Sequence, residues 1–159
     1  MEGLVQRERG GWVTTVEVSV EVDAPPERVW AVTSDPKNLA QWDRHVMDVR
    51  FPQGQVGPGT RYEVTMGFMR VRTHVTVTVL EWEPPWRSSL LLDGLLEATV
   101  TTSVASLPFD RSVLRQQVDY RFKGPLGGFG AMSLNAVGGS QLALRRGVLA
   151  QKRQIEAMG

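Results

Sequence analysis

The chain contains no cysteine, which removes disulfides, thiolate nucleophiles and cysteine-based zinc sites together. Histidine is nearly as scarce. His45 and His74 are the only two, and neither has a partner at metal-ligand spacing, so no metal and no cofactor is expected. Excess charge of one sign is also missing. The formal net charge is +1, from 18 basic and 17 acidic residues, far from the clustered basic surface that nucleic-acid binding requires. The short basic pairs Arg145-Arg146 and Lys152-Arg153 fall in a helical pattern and read as a solvated face. No apolar run approaches the roughly 18 residues of a membrane span, and MEGLVQRERGGW has no signal-peptide core, so a cytoplasmic protein without an integral membrane segment is expected. There is no G-x-S-x-G elbow, no G-x-G-x-x-G and no P-loop. The glycine-rich Gly124–Gly130 precedes a helix but lacks the lysine of a phosphate cradle. No internal repeat or low-complexity tract occurs. A length of 159 residues suits one domain over the whole chain.

What is present is patterned. From Val13 to Val22, valines at 16, 18, 20 and 22 alternate with Thr15, Glu17, Ser19 and Glu21, the period of a half-buried strand. Pro25-Pro26 stops it, because neither proline can donate to a ladder and proline suits a helix's first turn, with Asp23 as a candidate cap. A short helix over Glu27–Thr33 follows. Ser34-Asp35-Pro36 starts a second, with Leu39 and Trp42 facing inward. Six further strands are expected over Val46–Phe51, Thr60–Met66, Arg70–Trp82, Trp86–Leu92, Leu96–Leu107 and Ser112–Phe122, joined mostly by hairpin-length connections. After Gly124-Pro125 the period changes. Phe129, Met132, Ala136, Ser140, Leu144, Val148, Gln151 and Ile155 predict a long amphipathic helix reaching about Ala157. A seven-stranded antiparallel sheet, two short helices between its first and second strands and one long C-terminal helix make an α+β domain.

Several segments carry a resemblance: V-E-V-D-A-P-P-E-R-V-W (Val20–Trp30), S-D-P-K-N-L-A-Q-W (Ser34–Trp42), G-P-G-T-R-Y (Gly57–Tyr62), V-L-E-W-E-P-P-W-R (Val79–Arg87) and G-P-L-G-G with the helix after it. In this order they resemble the START-like, or helix-grip, superfamily, specifically its polyketide cyclase/dehydrase and lipid-transport branch. The resemblance implies a sheet wrapped around the long helix with a ligand cavity between them, in a monomer or homodimer. It implies a small hydrophobic ligand, polyketide-like or lipid-like, but does not choose between a cofactor-independent cyclase/dehydratase-type enzyme and a lipid, quinone or isoprenoid carrier or sensor. A third reading is an interaction module with a collapsed cavity. The small residues of the last helix, among them Gly127, Gly128, Gly130, Ala131, Gly138, Gly139 and Ala143, argue for an open interior.

Within such a fold the expected lining is Trp30, Trp42, Tyr62, Met66, Trp86, Tyr120, Phe122 and Met132, with Asn135 and Gln141 reaching in from the helix. On Arg70–Trp82, burial of the valines puts the odd positions inside. Aligning E-W-E-P-P with the family puts the even positions inside instead. In the second register Arg72 and His74 face the ligand, His74 as a proton shuttle and Arg72 as an oxyanion stabiliser, with Tyr120 donating to a carbonyl. A slip of one residue reverses that assignment. Asp35 and Asp43 read as caps or surface charges, and His45 as a surface residue at the mouth.

Overall fold

A computed structural model of the chain describes residues 4–8, 11–52, 54–68, 70–94, 96–122 and 139–159. The strands are β1 (Leu4–Glu8), β2 (Gly11–Val22), β3 (Val46–Arg50), β4 (Arg61–Phe68), β5 (Val71–Glu83), β6 (Arg87–Asp93), β7 (Leu96–Leu107) and β8 (Arg111–Phe122). The helices are α1 (Pro26–Thr33), a single 3-10 turn (Pro36–Asn38), α2 (Leu39–Trp42) and α3 (Gly139–Ala157). All strands pair antiparallel in one sheet, in the order β1-β2-β8-β7-β6-β5-β4-β3. This is the helix-grip arrangement, with all seven expected strands. An eighth, β1, is added at the edge, where Leu4 pairs with Thr15 and Glu8 with Gly11.

Alternation decides which face each strand buries. Val16, Val18 and Val22 of β2 lie inside, as do Leu114 and Tyr120 of β8, Ala98 and Val104 of β7, and Tyr62 and Val64 of β4. Helix α3 lays Leu144, Val148, Gln151 and Ile155 on this face, at the spacing of one helical stripe. Arg145, Arg146 and Arg153 lie exposed. Val148 and Ile155 are fully enclosed and pack with Val22, Val29, Val32 and Leu114, so α1 and α3 share one core with β2, β7 and β8. A second cluster around Tyr62, Val64, Val75 and Val77 fills the other half of the sheet. None of the described helices is long and apolar enough to cross a membrane.

The short helices are tied to α3 by polar side chains. Trp42 Nε1 donates to Gln154 Oε1 at 2.9 Å, Gln154 Nε2 to Asn38 Oδ1 at 3.0 Å, and Asn38 Nδ2 to the Val32 carbonyl at 3.0 Å. Asp23 does not cap α1. The cap position is Pro25, and the Asp23 amide instead donates to Glu156 Oε1 at 3.1 Å. Gly147, inside α3, faces α2 with room to spare, since a Cβ there would meet only the Trp42 carbonyl oxygen at 3.8 Å, an ordinary contact. Gly147→Ala should therefore stabilise the domain by about 0.5–1 kcal/mol, through the backbone freedom that glycine loses in a helix. A higher urea midpoint at unchanged m-value is the expected readout, and a lower midpoint refutes the proposed fit.

Candidate functional site

The cleft at the α1 end of the sheet is built from both layers. Thr33, Ser34, Asp35, Pro36 and Leu39 roof it, and Val56 comes from the loop before β4. Tyr62, Val79, Trp82, Ser88, Leu90 and Thr102, from four adjacent strands, form its floor. Its free space is about 40 Å³. That is several times what one water needs but far below the roughly 300 Å³ of a complete small-molecule pocket, so it fits one end of a molecule.

Strand β5 explains why Trp82 is there. Val75, Val77 and Val79 face inward, paired across β4 and β6 with Val64, Tyr62 and Leu92, and Leu90. Between Val79 and Glu81 the register shifts by one residue. Leu80 is the extra residue and stands 46% exposed. Beyond it the facing is reversed, so Trp82, opposite Ser88, turns inward and meets Trp30 edge to face with ring centroids 5.0 Å apart.

The bulge also corrects the expectation for Arg72 and His74. Alignment on E-W-E-P-P puts even positions inside, which is true of Trp82 but not of positions before the bulge. Arg72 and His74 are exposed on the outer face, where His74 Nδ1 lies 3.3 Å from Thr65 Oγ1. Trp86 is likewise misplaced by the lining expectation. It sits in the turn between β5 and β6 and is 47% exposed. Tyr120 is buried with Val16, Ala98 and Leu144 in a third core cluster, away from the cleft lining. Trp30 backs Trp82, Trp42 packs on the α1–α3 core, and Met66 packs on the cluster around Tyr62. Gln141 donates to the Glu17 carbonyl at 3.0 Å and so ties α3 to β2. Asp35 is both a cap, accepting from the Lys37 amide at 3.0 Å, and a member of the cleft roof. Asp43 holds His45, whose amide and Nδ1 lie 2.8 and 2.9 Å from its Oδ1. The Phe122 side chain, Met132, Asn135 and the glycines of 124–138 lie outside the described residues.

Of the expected lining residues the cleft takes Tyr62, and it adds Asp35, which was expected as a cap or surface charge. Burial pushes the Tyr62 phenol up to about 12, because the phenolate would lose its hydration. Ser88 and Thr102 were not anticipated, although a signal existed. Each sits two residues from an inward aliphatic, Leu90 or Val104, and so must face the same way. Thr102 begins a buried polar bridge from sheet to helix. Its Oγ1 accepts from Gln116 Nε2 at 3.2 Å, and the Gln116 and Gln151 amides bond each other reciprocally at 3.1 Å both ways. On the outer face a polar trough between Arg87 and Arg115 has its cations already matched, Arg87 by Glu81 at 2.7 Å and Arg115 by Glu17 at 2.6 Å.

Comparisons with known proteins agree with this architecture. No curated protein matches the sequence. Among solved structures, the Zhui aromatase/cyclase from Streptomyces sp. R1128 is 15% identical, with a TM-score of 0.73 over 91% of this chain and 94% of that one. A protein from Thermus thermophilus is 17% identical, with a TM-score of 0.72 over 91% of this chain and 99% of that one. A START superfamily protein from Mycobacterium smegmatis is 18% identical, with a TM-score of 0.70 over the same shares. At these identities the likeness is one of fold. The sequence profile of the polyketide cyclase / dehydrase and lipid transport family matches residues 13–156. By that match, over nearly its whole length, the chain belongs to the polyketide cyclase / dehydrase and lipid transport family.

Proposed function

We propose that the chain, acting as one ligand-binding domain, holds a small and mainly apolar molecule between the inner sheet face and α3, with one end seated in the cleft, and that it carries or senses this molecule without transforming it. The observation that carries this reading is the chemistry of the inner face. Among its described residues the ionisable side chains are Tyr62 and Tyr120, with Asp35 at the roof of the cleft. The rest is aliphatic, aromatic, hydroxyl or amide. Such a wall desolvates and orients a ligand. His74, the residue expected as a proton shuttle, and Arg72, the expected oxyanion stabiliser, both stand on the opposite face.

The competing reading, a cyclase/dehydratase-type enzyme, keeps one specific support. Asp35 and Tyr62 line the same cleft, and a carboxylate base beside a phenol donor is a workable acid–base pair. Mass spectrometry separates the two. Protein purified from its producing cell should release one class of apolar molecule, and that molecule should be recovered at the same mass after prolonged incubation with fresh protein. Recovery of a species lighter by one water would establish dehydration and replace the carrier by the enzyme. Absence of any bound apolar molecule, together with failure to take up added ones, would refute both.

A further inference from the structure

We infer that Gln116 and Gln151 are positioning residues that set, and can invert, the hydrogen-bonding polarity that Thr102 shows to the occupant of the cleft. This rests on the binding reading above and adds how one hydroxyl serves ligand atoms that give a proton and ligand atoms that take one. Thr102 of β7 stands opposite Ser88 of β6 and Gln116 of β8, so it belongs both to the cleft floor and to the bridge that runs to α3. Thr102, Gln116 and Gln151 are 7%, 7% and 4% exposed, and the fully enclosed side-chain polar atoms of the described interior all have partners. The bridge is complete as it stands.

The same atoms can be satisfied in a second way. Gln116 Nε2 donates to Thr102 Oγ1 at 3.2 Å and to Gln151 Oε1 at 3.1 Å, while Gln151 Nε2 donates to Gln116 Oε1 at 3.1 Å. A half-turn of both amides about their last side-chain torsions exchanges nitrogen for oxygen at every place, and the reciprocal pair re-forms with the same two bonds. At Thr102 the direction reverses, because Gln116 Oε1 now faces the hydroxyl and the hydroxyl must donate to it. A threonine hydroxyl has one proton and two lone pairs. In the first arrangement Thr102 accepts from Gln116 and keeps its proton for the cleft. In the second it gives that proton to Gln116 and shows the cleft lone pairs alone.

No covalent bond changes and no group ionises in this exchange. The terminal torsion of a glutamine is broad and two-fold, so each orientation is an ordinary one. The two amides must turn together, since one turned alone would set oxygen against oxygen and nitrogen against nitrogen inside the protein. Among the described residues the two amides bond only each other and Thr102, so no further side chain holds them to one orientation. The ligand atom that reaches Thr102 therefore selects the arrangement.

Three bicyclic probes of similar size test this: indanone, whose carbonyl only accepts, indole, whose N–H only donates, and indene, which does neither. Calorimetry on the parent protein should show indanone and indole each binding roughly threefold to tenfold more tightly than indene, the range of one net hydrogen bond. Thr102→Val should bring both close to indene. The side-chain amide NMR signals of Gln116 and Gln151 supply a readout that needs no variant to fold. Saturating indole should shift both sets together, whereas indanone and indene should leave them near their free positions. Gln151→Glu, measured at about pH 9.5, above the roughly 8–9 to which full burial can lift a glutamate, presents acceptors alone and so holds Gln116 in its first orientation. Indole should then lose its advantage over indene while indanone keeps its own. A parent in which indole or indanone binds no better than indene, amide signals that indole leaves in place, or equal losses for both in Gln151→Glu overturns the inference and leaves the binding reading standing. Failure of all three probes to bind removes the binding reading, and the inference with it.

Discussion

Leu114→Ala is expected to lower the stability of the domain by about 2–5 kcal/mol, the range for truncating an enclosed leucine in a core that cannot close over the gap. Leu114 has no exposed surface and heads the fully buried side chains by size. Its strand, β8, is flanked on both sides, so Leu114 is held opposite Val20 of β2 and Val104 of β7. Above it lie Val148 and Ile155 of α3 and Val29 of α1. Neither neighbouring strand can move inward without breaking its own ladder, and α3 is held in place by Gln151, Gln154 and Gln141. The lost transfer free energy and the unfilled cavity should therefore add. Urea unfolding should show a large fall in midpoint at constant m-value. A loss below about 1 kcal/mol would mean that the helix settles onto the sheet and that its polar ties are slack.

Gln151→Leu is expected to cost about 1–3 kcal/mol, and adding Gln116→Leu should return most of that loss. Gln116 and Gln151 are 7% and 4% exposed, and each amide is the other's donor and acceptor. Removing one leaves the other buried with a donor and an acceptor unmatched, so the penalty is the desolvation of the survivor. Replacing both by apolar groups removes the two unmatched amides together and leaves only Thr102 Oγ1 without its Gln116 donor, so the return is large but incomplete. A double-mutant cycle measures this, with the expected coupling being a double-mutant loss well below the sum of the two single losses. Simple additivity would show that the two amides are independently solvated and that the bridge is not a unit.

The strands were legible because their alternation is strong. Val16 to Val22 and the valines of β5 announce both strand and buried face. The α3 stripe was legible for the same reason, and Gln151 appeared in it as a polar member, the residue that pairs across to the sheet. What escaped was whatever depends on pairing between distant segments. LVQRE is too short to show a period of its own, and β1 exists because β2 offers it an edge. Asp23 has the right chemistry for a cap, but Pro25 occupies the cap position. Ser88 and Thr102 are ordinary strand residues until the register of β5, β6 and β7 brings them under the same roof as Tyr62. Trp86, read as lining, belongs to a turn and stands half-exposed.

The extra residue at Leu80 means that β5 carries two reading frames, one for the apolar floor and one for the aromatic lip. Such a strand is forgiving of replacement and intolerant of counting errors. Deleting Leu80 would force a choice between keeping Val75, Val77 and Val79 inside and keeping Trp82 inside, since one uninterrupted pleat cannot do both. The same constraint bears on evolutionary comparison. An ungapped alignment anchored on either side of the bulge assigns every residue on the other side to the wrong face. A relative that has lost the bulge would therefore expose a different row of side chains to its ligand while differing from this chain by a single gap.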